Sequence, residues 1–142
     1  MIIKKIYTYK HKKKIHTPVY PVPILASFPS PANDYIDLSL DLNQLLIKNN
    51  PATFFAYAKG ESMIPNGIHD GDLLIIDRSI IAKNNDIVIA SLHGELIVKK
   101  MGVIDGKKYL IPGNPKYKPI NIESIPNFEV WGIVTYSIHS LN

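Results

Sequence analysis

From Thr53 onward the chain is a succession of short runs rich in β-branched and aromatic residues, each cut off by Gly, Asn or Asp. Such a pattern folds as strands of an antiparallel sheet or barrel, because branched and aromatic side chains pack well on a pleated surface and the interrupting residues suit turns. The expected strands are Thr53–Lys59, Leu73–Asp77, Ile87–Leu92, Glu95–Met101, Lys108–Pro112 and Val130–His139, with His93-Gly94 as a two-residue hairpin turn. The body is therefore expected to be mainly β. It contains no internal repeat.

The residues before Thr53 read differently. Pro18, Pro21, Pro23, Pro29 and Pro31 fall between Thr17 and Asn33. Each proline removes a backbone donor and holds φ near the polyproline value, so this segment is expected to be an extended arm. Asp41 stands before Leu42, Leu45 and Leu46, with Gln44 three residues on, which resembles a capping box opening a short helix that ends before Pro51. No stretch reads as a helix-turn-helix, and a DNA-binding head of the repressor kind is not expected.

Charge is confined in the same way. Lys4, Lys5, Lys10, Lys12, Lys13 and Lys14 all precede the first acid, Asp34, and the whole chain carries +4. Without residues 1–26, ten basic side chains would face twelve acidic ones, a net charge of −2. The basic arm can attract nucleic acid or another anionic surface, or it can be a solvated tail; direct DNA binding stays open. With no cysteine, disulfides, thiolate metal sites and a cysteine nucleophile are all excluded. The apolar runs are short of the roughly 18 residues a membrane span needs, and the basic start has no apolar stretch of a secretory signal, so the chain is expected to be cytoplasmic and not bound to a membrane.

Chemistry concentrates at Gly60-Glu61-Ser62-Met63-Ile64-Pro65. Ser62 leaves a strand at a turn beside a glycine, where a substrate backbone can approach closely. A serine hydroxyl needs a base, either a histidine or a lysine kept neutral by apolar surroundings. Lys99 lies in Glu95-Leu96-Ile97-Val98-Lys99, and strand alternation puts it on one face with Ile97 and Met101, a setting that would lower its pKa. Ser-Lys pairs are one variant of the Ser-His logic. His69 with Asp70, or His93 with an acid, would offer a rival triad, but the spacing favours none of them, and His93, His11 and His16 read as solvated. No two histidines stand at ligand spacing beside a carboxylate, so neither a metal nor another cofactor is expected.

These segments resemble the LexA/UmuD family of self-cleaving serine peptidases. The likeness runs through Phe28-Pro29-Ser30-Pro31-Ala32, Asp41-Leu42-Asn43-Gln44-Leu45-Leu46-Ile47, Gly60-Glu61-Ser62-Met63, Asp70-Gly71-Asp72-Leu73-Leu74-Ile75 and Val98-Lys99-Lys100. It implies a LexA/UmuD-like catalytic domain of antiparallel sheets with a short helix and an extended N-terminal arm. It makes Ser62 the nucleophile and Lys99 the general base, with the backbone N–H groups of Glu61 and Ser62 as oxyanion donors. It places self-cleavage between Ala26 and Ser27, dividing a cleavable arm, residues 1–26, from a β-rich domain, residues 27–142. The chain departs from the family in carrying Ser27 where glycine is usual, which adds a hydroxymethyl group to the segment entering the cleft. The resemblance further implies a homodimer, stimulation by a RecA filament on single-stranded DNA after damage, and a UmuC-type polymerase subunit as partner, with a sliding clamp as a further candidate. Two other readings stay open. One is a signal-peptidase-like enzyme, which shares the Ser-Met turn and lysine base. The other is an uncleaved adaptor that binds a polymerase or clamp.

Overall fold

The computed structural model describes residues 1–9, 17–19 and 38–142. Among the described residues ten strands follow in chain order: β1 (Ile2–Thr8), β2 (Thr17–Val19), β3 (Leu38–Leu40), β4 (Thr53–Lys59), β5 (Leu73–Asp77), β6 (Ile87–Leu92), β7 (Glu95–Ile104), β8 (Lys107–Ile111), β9 (Ile120–Asn121) and β10 (Glu129–Ile138). The single α-helix among the described residues is α1, Leu42–Leu46. The chain forms two compact units, one of residues 10–48 and one of residues 1–9 with 49–142, so the expected arm of residues 1–26 is shared between them.

In the smaller unit β2 pairs antiparallel with β3. Helix α1 begins where Asp41 Oδ1 accepts the Asn43 N–H at 3.1 Å, relieving one of the unpaired donors of the first turn. Five residues, none with a basic group in the last turn, make it the short helix expected of this segment.

The larger unit is an antiparallel sheet of order β1-β4-β5-β10-β6-β7-β8-β9. It closes on itself because β1 pairs with β4 along its length and also with β7, through Ile2 opposite Ile97 and Ile3 opposite Leu96. Strands β1, β4, β5, β10, β6 and β7 thus make a barrel-like ring from which β8 and β9 extend. Alternation explains β4, where Ala56 and Ala58 are buried and Tyr57 and Lys59 are exposed. In β6 successive residues are both buried: Ile89 joins a core with Ala56, Leu74, Ile76 and Val98, and Val88 joins a second core with Met101, Leu110 and Ile133. A strand covered on both faces reads as a continuous apolar run, as Ile87-Val88-Ile89-Ala90 does.

Strands β4, β5 and β6 have the expected bounds. The hairpin between β6 and β7 turns at His93 (φ 50°) and Gly94 (φ 79°), the two positive φ values of a turn whose twist matches its strands. Strand β1 was not among the expected strands. Its Ile2, Ile3 and Ile6 sit among lysines that read as a charged tail, and a register shift between Ile3 and Ile6 breaks the alternation that would have revealed them. Among the described residues no helix is long and apolar enough to cross a membrane.

Candidate active site

The site grows out of the end of β4. After Lys59 the backbone turns at Gly60 with φ 109°, a left-handed value that strains any residue with a Cβ. The Gly60 N–H donates to Asp70 Oδ1 at 2.8 Å, so the turn is clamped from the far side of its own loop. Glu61 accepts the Ile64 N–H at 3.2 Å, and Ile64–Asn66 make one 3₁₀ turn. Met63 is buried in the core with Ala58, Leu74 and Val98. Burying the side chain next to Ser62 fixes the backbone there while leaving Ser62 itself exposed.

Lys99 comes from β7, where it lies opposite Val88 and is partly buried. Ser62, Met63 and Lys99 line a cavity of about 500 Å³ together with Ile111, Gly113, Asn114 and Pro115. Gly113 is needed for this approach, since a Cβ there would come within 3.0 Å of the Ser62 carbonyl oxygen. The α-ammonium of Met1 donates to Ser62 Oγ at 2.8 Å, and the Val98 N–H donates to the Met1 carbonyl at 3.1 Å. Burial, and secondarily the charge of Lys99, hold that amine below its ordinary pKa.

The same loop ends on Asp72, which is 1% exposed. One carboxylate oxygen accepts the His69 N–H at 2.8 Å and the Ser137 hydroxyl at 2.8 Å, and the other lies 2.6 Å from His139 Nδ1. Burial opposes ionisation of Asp72, but these hydrogen bonds and the neighbouring His139 outweigh it and hold the carboxyl below its ordinary pKa.

The family described as Peptidase S24-like matches residues 18–135 of the chain. The chain belongs to the S24-like peptidase family. Among the relatives of this chain, the protein MucA of Salmonella typhimurium is 35% identical over 135 residues, covering 94% of this chain and 92% of MucA. The protein ImpA of Escherichia coli is 41% identical over 116 residues, 80% of this chain and 77% of ImpA. A LexA repressor from Oleidesulfovibrio alaskensis is 42% identical over 81 residues, which is 57% of this chain and 39% of the repressor.

In this S24-like chain the turn after β4 and strand β7 bring Ser62 and Lys99 to one cavity. The rival triads are not assembled there. Asp70 is engaged by Gly60, the ring of His69 packs on that of His139, and neither these residues nor His93 line the cavity. Ala26 and Ser27 lie outside the described residues. Sequence reasoning missed Met1 and the 111–115 segment. Pairing of β1 with β7 brings the first to Ser62, and nothing in the spacing of the chain signals either contact.

Proposed function

We propose that this chain is a self-cleaving serine endopeptidase of the SOS response that cuts its own Ala26-Ser27 bond. The reading rests on one observation above others: Ser62 and Lys99, which occupy the nucleophile and base positions of the LexA/UmuD pattern, open onto the same cavity. In the proposed reaction Ser62 Oγ attacks the Ala26 carbonyl carbon while the Lys99 amine takes the hydroxyl proton. The backbone N–H groups of Glu61 and Ser62 stabilise the oxyanion. Collapse of the tetrahedral intermediate breaks the Ala26-Ser27 bond, the Ser27 amine leaves with the proton from Lys99, and water hydrolyses the acyl-enzyme. Tethering supplies one bond at high effective concentration, so the site needs little affinity for other proteins.

The resemblance extends the proposal to biology. A RecA filament on single-stranded DNA stimulates the cut in the cytoplasm. The shortened chain, as a homodimer, then serves a UmuC-type translesion polymerase, with a sliding clamp as a further partner. Loss of residues 1–26 would exchange a basic protein for an acidic one.

Intact mass before and after incubation with RecA, single-stranded DNA and an ATP analogue tests the chemistry. The expected product begins at Ser27, and Ser62→Ala and Lys99→Ala each slow its appearance by about 10⁴-fold or more. Cleavage of Lys99→Ala near the wild-type rate would overturn the assignment of the base. An unchanged wild-type mass would favour the uncleaved adaptor.

A further inference from the structure

His69, Asp72 and His139 meet on the flank of the loop that carries Ser62. The two imidazoles pack together with centroids 4.5 Å apart and planes tilted by 33°. Both side chains are close to half exposed, 46% for His69 and 45% for His139, and the Asp72 side chain beside them is fully buried. One ligand atom from each residue lies within 4.8 Å of the other two. We propose that these three side chains bind a single divalent transition ion of the zinc type, with water in the remaining position.

The donor set selects the ion. Two imidazoles and one carboxylate suit zinc, cobalt, nickel or copper, whereas calcium and magnesium take oxygen ligands. Zinc–nitrogen and zinc–oxygen bonds of about 2.0–2.2 Å put two ligands of one tetrahedral ion about 3.4 Å apart, so the ligand atoms must close in by about an ångström, and exposed rings can turn. The carboxylate, by contrast, is already held. The Ser137 hydroxyl and the His69 N–H both donate to one oxygen of Asp72, the supporting contacts that orient a metal ligand. At present the contact of 2.6 Å between His139 Nδ1 and Asp72 Oδ1 holds a proton; binding releases it and puts the ion in its place. The spacing argument from the sequence missed this cluster because His69 lies in a loop and His139 follows the last strand, and only the pairing of β5 with β10 brings them together. A bound ion would tie the segment after β10 to the 60–72 loop.

The test uses the full-length Ser62→Ala protein, which stays whole. Calorimetric titration with zinc, and with cobalt for its ligand-field absorption, is expected to give one ion per chain. His69→Gln and His139→Gln should each weaken binding more than about 100-fold, since even outer partners of a metal cost 10–100-fold. The double variant His11→Gln/His16→Gln should bind as the parent does, because those histidines belong to the arm. Binding that disappears with the arm histidines but persists in His139→Gln would overturn the site, as would the absence of stoichiometric binding. Should either site variant fail to fold, the imidazole proton resonances of the parent decide: shifts at His69 and His139 on adding zinc support the site, and unshifted resonances refute it.

Discussion

The two ends of the 60–72 loop are built on opposite plans. At one end Ser62 is exposed, followed by a buried anchor, Met63. At the other, Asp72 is buried and hydrogen-bonded on both oxygens. A nucleophile must be reachable and is held only through its neighbours; the anchor that holds the loop can be saturated because no substrate has to touch it. Stability and reactivity are thereby separated by ten residues of chain, and substitutions at the two ends should separate them experimentally.

The largest stability effect is expected at Asp72. Asp72→Ala leaves the His69 N–H and the Ser137 hydroxyl without their buried acceptor and should cost about 3 kcal/mol in denaturant unfolding. The carboxyl is depressed in the folded state, so its contribution is complete above the ordinary value of 3.8 and is lost as the pH falls through the lower folded value. In chelator, the gap between wild type and Asp72→Ala should therefore narrow on acidification below pH 3.8; a gap independent of pH would break the comparison. Gly60→Ala comes next, at about 1–2 kcal/mol, because its φ of 109° strains an L residue and the new Cβ stands 3.4 Å from Met1 Cα. Smallest in stability, under about 1 kcal/mol, is Gly113→Ala. Its Cβ would press within 3.0 Å of the Ser62 carbonyl, so self-cleavage measured by intact mass should slow by about tenfold or more. A large loss of stability without a loss of rate there would show that the cleft wall carries the fold after all.

What could be read from the chain follows the same division. Strands β4, β5 and β6 were legible to the residue because their apolar runs are bounded by turn residues and their burial is set locally by the pleat. Strand β7 runs on to Ile104, past the expected stop at Met101, because pairing with β8 continues through Val103 and Ile104. Pairing across the sheet is not written in any local pattern. For the same reason Ser62 was legible as a turn serine, while its neighbours Met1 and Gly113 were not. The Asp72 cluster draws on a loop and on the segment after β10, two places where periodicity carries no information.

Strand β1 closes the ring, with β4 on one edge and β7 on the other. In the order of synthesis it precedes both of its partners, and the second of them emerges only after β4, β5 and β6. The edge of β1 that pairs with β7, at Ile2 and Ile3, must therefore wait unpaired until β4, β5 and β6 have been made. Closure at such a sequence separation has a high entropic cost and is slow. The ring is thus completed late by the earliest strand of the chain, and the interval before closure is when an exposed edge is most open to pairing with another molecule.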